Sequence, residues 1–299
     1  GQPIAEKTST LANVPYYTDD GVFVNGGVSY SLAHQLRLSP GIFARRKANE
    51  ELESHINVAP GKGRSHRIFM DPESGVFKIS VGQANMPLYP LLRAMGATNE
   101  TLQNAWGRDL ASINAGKNDP QVIRKLYDRI VKKRVQGADE ATMSQAVADS
   151  FNNMELDGNV TKRTLGSAAD RVDLPTLLAT TSKLVALNRG EAEPDDRDHL
   201  AYQHVFGPED LIAERLANSQ QAVRQMLWKA STKGNLNAIG PGFFDKMINA
   251  AIIGSGLGAP IEQINPLEVF DQQSRVTRMG EGGIASLDSV PEDSRMVQP

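Results

Sequence analysis

The sequence predicts an α+β protein built from mixed hairpins and helices. Strand-like residues and turn signals dominate before Leu88, whereas apolar residues recur at helical spacing from Leu88 onward. The length of 299 residues suggests about two domains. A chain of this length with 40% hydrophobic residues can bury a large core, and its net charge of −3 is small.

Two β-hairpins are predicted in the N-terminal part. Val22–Val24 is strand-like and leads into Asn25-Gly26, which is the strongest short-range hairpin signal in the chain. Further along, Arg67–Met70 and Val76–Ile79 flank Asp71–Gly75, whose aspartate, proline and glycine favour a turn. The second hairpin is therefore expected to have the longer loop.

Helices are predicted where apolar residues recur at helical spacing and a capping residue or a glycine marks an end. The clearest case begins at Asp119-Pro120, a side-chain cap followed by proline, and carries Lys132–Arg134 near its end. The remaining predicted helices cover residues 88–95, 141–151, 177–187, 208–230 (as one long packing helix) and 243–253.

The composition excludes several kinds of function. The chain has no cysteine, so disulfides, thiolate nucleophiles and Cys-ligated metals are impossible. The chain contains no run of about 18 apolar residues, so no membrane-spanning helix is predicted. Gly1–Lys7 lacks the features of a secretory signal. The absence of cysteine favours a reducing compartment.

Two local motifs point to chemistry, and the residues around each argue against it. Gly254–Gly258 looks like part of a dinucleotide fingerprint, but a predicted helix precedes it where a strand is required. Asp195–His199 has the residue types of a metal site, yet a local run seldom supplies octahedral geometry, so a structural role is favoured. The five histidines suggest no catalytic triad and are interpreted as structural or surface residues.

The last fifty residues are the most informative part of the chain. Glu262–Leu267 and Gln272–Ile284 combine amides, two arginines and glycines, with almost no aliphatic period. Glycines let a backbone approach a ligand closely, and arginine and amide side chains suit phosphates and base edges. A polar wall along a nucleic acid fits this pattern, and so does an ordinary surface loop.

The same residues resemble a known family. Glu262–Ile284 is similar, without a gap, to the segment of the bacterial RNA polymerase β subunit that lines the RNA path and forms the rifampicin pocket. Other motifs resemble that family in the same order along the chain: Thr18–Gly26, Gln35–Phe43, Pro87–Gly96, Asp195–Leu200 and Ser294–Pro299.

The resemblance implies a fold and a domain order. It implies a protrusion-, lobe- and fork-like α+β architecture. In this scheme residues 1–40 and 195–253 are protrusion-like, 41–190 are lobe-like and largely helical, and 254–299 form a fork- and rifampicin-pocket-like loop region.

The resemblance also implies a function: the N-terminal half of a β-like subunit of a DNA-directed RNA polymerase, a nucleotidyltransferase. The chain would carry no catalytic residue and no metal, because the family holds its Mg²⁺ on the β′ subunit. The residues implied to line the nucleic-acid channel are Gln263, Asn265, Gln272, Arg275, Thr277, Arg278, Gly280, Gly282 and Gly283.

The implied partners are a C-terminal β-like subunit, β′-like subunits, a sigma-like factor, the DNA template and the nascent RNA, without a membrane. Departures from the family pattern, such as Gln272-Gln273-Ser274 in place of basic residues, suggest a split β subunit of a large bacteriophage that transcribes viral genes. Its location would be the cytoplasm of the infected bacterium or the virion.

Glu262, Gln272 and Thr277 replace three pocket residues of bacterial enzymes, which predicts insensitivity to rifampicin. The alternative is a non-catalytic structural or regulatory adaptor derived from a polymerase β fragment.

Overall fold

A computed structural model describes residues 8–82, 84–131, 137–234, 239–261, 265–280 and 282–284. They form two compact units of mixed α and β structure, so the predicted α+β class is confirmed. The central unit is Ser39–Tyr202, and the terminal unit combines Gly1–Leu38 with Gln203–Pro299. Predictions that fall outside the described residues concern Gly1–Lys7, Lys132–Arg134, Glu262, Gln263 and Ser294–Pro299.

The central unit contains a five-stranded antiparallel sheet whose strands follow one another in chain order. Its helices follow the sheet in the sequence. The strands are β5 (Gly41–Arg46), β6 (Leu52–Asn57), β7 (His66–Met70), β8 (Phe77–Val81) and β9 (Ala84–Pro87). The helices are α1 (Tyr89–Ala94), α2 (Asn99–Trp106), α3 (Arg108–Ala115), α4 (Gln121–Ile130), α5 (Glu140–Asn152), α6 (Gly158–Leu165) and α7 (Leu174–Arg189).

One continuous apolar core joins this sheet to its helices. Trp106 at the end of α2 is 2% exposed and lies 4.7 Å, centroid to centroid, from the ring of Phe77 on β8. Its indole nitrogen donates a 2.8 Å hydrogen bond to Thr181 Oγ1 on α7. Burial of large aromatic side chains with satisfied polar atoms is a strong source of stability. The apolar core of this unit is also larger than the apolar clusters of the other unit.

In the described part of the chain, the terminal unit contains two small sheets and four helices. Its strands are β1 (Tyr16–Tyr17), β2 (Phe23–Asn25), β3 (Val28–Leu32), β4 (His34–Leu38), β10 (Gln203–Phe206), β11 (Gly258–Pro260) and β12 (Val276–Thr277). Its helices are α8 (Pro208–Asn218), α9 (Gln220–Lys233), α10 (Asp245–Ile252) and α11 (Pro266–Gln273). The sheets have the orders β1-β2-β3-β11 and β10-β4-β12, and β12 pairs with β4 in parallel.

Both predicted hairpins are confirmed. Asn25 pairs with Val28 across Gly26 and Gly27, which both have positive φ, as a tight hairpin turn requires. In the second hairpin, β7 and β8 are paired from Met70↔Phe77 to Arg67↔Ser80. The predicted helices over 88–95, 141–151, 177–187 and 243–253 correspond to α1, α5, α7 and α10, and the helix predicted to begin at Asp119-Pro120 is α4.

The single long helix predicted over 208–230 is wrong. The chain leaves the helical conformation at Ser219, where φ is −83° and ψ is 8°, and α8 and α9 are separate helices. The Ser219 hydroxyl donates a 2.7 Å hydrogen bond to the Arg215 carbonyl, a local bond that competes with regular helix geometry. Trp228 on α9 is 67% exposed, so the second half is not a packing helix throughout.

The structural interpretation of Asp195 is confirmed. Both of its carboxylate oxygens lie 2.7 Å from Lys183 Nζ on α7, and Oδ2 also accepts a hydrogen bond from the Ala44 amide on β5. Burial raises the pKa of Asp195, an effect that Lys183 opposes. Within the described residues, no helix is both long and apolar enough to cross a membrane.

Candidate nucleic-acid interface

Helix α11 begins the candidate interface, in a region that was predicted to be loop. Asn265 caps the helix, because its Oδ1 accepts a 3.1 Å hydrogen bond from the Leu267 amide, and Pro266 occupies the first turn. Val269 faces inward and packs in a small cluster with Val22 and Ile261. The loop prediction is therefore wrong for Pro266–Gln273, although Asn-Pro is the same type of start signal as Asp119-Pro120.

Strand β12 attaches the following residues to β4. The pairs Val276↔His34 and Thr277↔Gln35 form a parallel ladder, and the His34 amide donates to the Arg275 carbonyl at 3.0 Å. The chain then enters the glycine turn, a name used here for the described residues of 278–283. Its closing bond runs from the Gly283 amide to the Gly280 carbonyl at 3.1 Å.

The two arginines of this segment differ in their electrostatic surroundings. Arg275 is exposed and donates from Nε and Nη2 to Asp271 Oδ2 at 3.2 and 3.0 Å, so part of its charge is neutralised on the surface. Arg278 is half-buried and, within the described part of the chain, has no salt-bridge partner. Arg278 is consequently the stronger candidate for contact with a phosphate.

The outer face of α11 has the opposite character. Leu267 and Phe270 are 75% and 68% exposed, and the helix also carries exposed Glu268 and Asp271. A cavity of about 570 Å³ beside this face is lined by Asp19, Asp20, Pro266, Val269, Phe270 and Gln273. Carboxylates repel a phosphate backbone, so this face does not suit nucleic acid.

The structure brings some of the predicted channel residues together and separates others. Arg275, Thr277, Arg278 and the glycines 280, 282 and 283 form one segment after α11. Asn265 is engaged in capping, and Gln272 Nε2 donates to Glu268 Oε1 at 3.3 Å on the same helix. Gln263 lies outside the described residues.

Sequence reasoning missed the residues that support this segment. Gln35 and Arg37 on β4 are 0% and 8% exposed, and Arg37 forms a 2.7 Å salt bridge with Glu214 on α8. The signal that could have found them is the pair of polar residues at alternate positions of β4, each followed by a leucine. Such a pattern normally predicts a solvent-facing strand surface, and here both side chains are buried.

A metal-binding group does not form in the described part of the chain. Across the described ranges, no three His, Asp or Glu side chains converge as ligands. In the Asp195–His199 run, the Asp195 carboxylate is already bound by Lys183 Nζ and by the Ala44 amide.

The fold and site together define a mixed α+β protein in which a strand in a small sheet holds a polar, glycine-rich segment. Comparison with known proteins shows which proteins this chain is similar to. No family model matches the chain. It is 25% identical to the "DNA-directed RNA polymerase subunit beta" of Adiantum capillus-veneris over 315 residues, which cover 95% of this chain and 29% of that protein.

Two bacterial proteins of the same name show similar values. The Tropheryma whipplei protein is 24% identical over 94% of this chain, and the Thermus thermophilus protein is 25% identical over 94%. The chain spans less than a third of the length of these curated relatives, 27% and 28% respectively. It is therefore a distant relative of bacterial-type RNA polymerase β subunits along nearly all of its own length.

Proposed function

We propose that this chain is part of a β-like subunit of a multisubunit DNA-directed RNA polymerase and that it forms part of the wall of the DNA/RNA channel. The observation that carries the proposal is the similarity to β subunits over about 95% of the chain. The polar segment that follows α11 adds support, since it combines an available arginine with glycines that permit close approach of a backbone.

Within the wall, we assign contact with nucleic acid to residues 275–283 and not to α11. The helix presents Leu267, Glu268 and Phe270, which suit protein better than phosphate. The segment after it presents Arg275 and Arg278, whose guanidinium groups suit phosphate. Phosphate contacts of this kind position a nucleic acid without reading its sequence.

The chain's role in the reaction is proposed to be positional. Templated RNA synthesis in this family uses Mg²⁺, which stabilises the attacking and leaving oxygens of phosphoryl transfer. By the resemblance to that family, we place the ion on a β′-like partner and assign this chain no catalytic residue. Its contribution is to hold template and transcript in register with that partner.

The proposed partners are a C-terminal β-like subunit, β′-like subunits and a sigma-like factor, together with DNA template and nascent RNA. The departures at Gln272-Gln273-Ser274 and the divergence of about 75% of aligned positions favour a split, bacteriophage-encoded subunit that acts in the infected bacterium or the virion.

Copurification tests the proposal. The tagged chain is purified from its native source, and its stoichiometric partners are identified by mass spectrometry. The proposal expects the remaining β-like and β′-like subunits and template-dependent RNA synthesis by the purified complex. Capsid or scaffold proteins alone, without RNA synthesis, would instead support the adaptor.

A further inference from the structure

Two buried polar side chains lie next to each other on the same face of β4. Gln35 and Arg37 are two positions apart, so their side chains leave the strand on one side. They are 0% and 8% exposed, which is unusual for an amide and a guanidinium. Burial of such groups costs free energy unless their hydrogen bonds are made, so their partners indicate what they do.

The partners connect β4 to the glycine turn. Gln35 Nε2 donates a 2.7 Å hydrogen bond to the carbonyl of Met279, and Gln35 Oε1 accepts a 2.7 Å hydrogen bond from Arg37 Nε. A guanidinium only donates and a carbonyl only accepts, so these two neighbours fix which way the Gln35 amide points. The amide nitrogen is thereby directed at the backbone of the turn.

Arg37 is itself held from two other directions. Its Nη1 lies 2.7 Å from Glu214 Oε2 on α8, and its guanidinium carbon lies 4.3 Å from the ring centroid of Phe206 on β10. The ion pair and the cation–π contact restrict the guanidinium from separate elements. The orientation of Gln35 therefore depends on a network that extends well beyond the turn.

The turn also fits closely against these side chains. A Cβ atom at Gly282 would lie 2.8 Å from Arg37 Cζ, and one at Gly283 would lie 2.9 Å from Gln35 Nε2 and 2.4 Å from the Arg278 carbonyl oxygen. Gly280 and Gly282 have φ of 93° and 83°, which L side chains rarely adopt. Glycine is needed at 280 and 282 because φ is positive there, and at 283 because the Arg278 carbonyl oxygen lies so close. The β4 side chains further limit the space around the turn.

We propose that Gln35 is a positioning residue, oriented by Arg37 and Glu214, that holds the glycine turn in the conformation that presents Arg278 to nucleic acid. The structural half of this inference concerns the chain alone. The half that concerns nucleic acid rests on the proposed function.

The structural half is tested by hydrogen exchange of the full chain, without partners, using Gln35→Glu. The carboxylate still accepts from Arg37 Nε, but it cannot donate to Met279 and repels that carbonyl. We expect exchange of peptides covering 276–284 to rise about tenfold while peptides from β2 and β3 remain unchanged.

Asn25→Asp is the matched control. It makes the same amide-to-carboxylate change in the same unit, where Asn25 Nδ2 donates to Asn249 Oδ1 at 3.2 Å. The Asn249 amide can rotate and donate to the new carboxylate, whereas the Met279 backbone carbonyl cannot. Equal exchange of residues 276–284 in the two variants would overturn the proposal.

A second variant covers the case in which Gln35→Glu unfolds the whole unit. Gly283→Ala leaves β4 unchanged and adds a methyl group against Gln35 Nε2 and the Arg278 carbonyl. It should loosen the same peptides, and wild-type exchange in this variant would contradict the proposal. Arg37→Lys, which retains a charge for Glu214, should loosen the turn less than Arg37→Met.

The functional half is tested in the assembled complex on an RNA–DNA hybrid scaffold. A variant that loosens the turn should release the scaffold several-fold faster than the Asn25→Asp control. A loosened turn with unchanged release would overturn the functional half and leave the structural half standing. A chain that never copurifies with polymerase subunits would instead contradict the proposed function, so the two failures are distinguishable.

Discussion

The central and terminal units differ in how they are stabilised. The central unit packs a five-stranded sheet and its helices around one continuous apolar core. The terminal unit has small apolar clusters, including one around Phe23 and Ile252 and one around Val22 and Val269. They are supplemented by buried Gln35 and Arg37 and by the half-buried Glu214 that pairs with Arg37. The comparison teaches that the candidate site lies in the unit whose apolar clusters are smaller, where single substitutions should act locally.

The largest expected effect is a loss of central-unit stability in Trp106→Ala. Truncation of this buried indole removes its contact with Phe77 and the hydrogen bond to Thr181, and should lower the free energy of unfolding by about 3–5 kcal/mol. Denaturant unfolding monitored by exchange of central-unit peptides measures it. Trp228→Ala, at an exposed position on α9, is the control and should change stability by less than about 0.5 kcal/mol.

Acid should destabilise the central unit through His66. Burial lowers the pKa of His66 from 6.5 to about 4, against a smaller opposing effect of the Arg64 carbonyl. The unfolded chain binds the proton more readily, so the stabilisation is fully present above about pH 6.5 and is lost as the pH falls towards 4. At about 1.4 kcal/mol per pKa unit, the loss approaches about 3 kcal/mol.

His66→Gln sharpens this prediction, because glutamine does not titrate. Its stability should fall less steeply than that of the wild type between pH 6.5 and 4.5 in parallel denaturant titrations. Identical slopes for the two proteins would show that His66 is not the group responsible.

In the terminal unit, Arg278→Ala should weaken scaffold binding by the assembled complex and reduce the slope of log affinity against log salt by about 1. Arg275→Ala should have a smaller effect, because Asp271 already neutralises part of the Arg275 charge. Neither change should block assembly. A larger effect at Arg275 than at Arg278 would reverse the electrostatic assignment.

Rifampicin should have the smallest effect on the assembled enzyme. Glu262, Gln272 and Thr277 differ in length or hydrogen-bonding geometry from the residues of sensitive enzymes, and each lost hydrogen bond costs about 0.5–1.5 kcal/mol. Transcription by the assembled enzyme at drug concentrations that stop a sensitive bacterial RNA polymerase measures this. Full inhibition at those concentrations would contradict the prediction.

Local signals in the sequence were sufficient for most elements of the fold. The Asn25-Gly26 hairpin and the helix start at Asp119-Pro120 follow from backbone preferences of a few neighbouring residues, and both are confirmed. The break at Ser219 was missed because the apolar period continues across it. Helix α11 was missed because its eight residues carry only three large apolar side chains, Leu267, Val269 and Phe270, which are too few to show a helical period.

The support of the candidate site could not be predicted from sequence. Arg37 and Glu214 are far apart in the chain, and only the tertiary fold brings their charges to 2.7 Å. Gln35 could be identified as part of a family-like motif, but its bond to the Met279 carbonyl depends on the β4–β12 register. The assignment of protrusion-, lobe- and fork-like regions stays a prediction.

The most direct test of the channel-wall proposal is site-specific photo-crosslinking in the transcribing complex. A photoreactive residue is placed at Met279 in the glycine turn or at Leu267 on α11; both wild-type positions are exposed. We predict crosslinks to RNA or template DNA from position 279 and crosslinks only to protein from position 267. Nucleic-acid crosslinks from position 267 and none from position 279 would contradict the account.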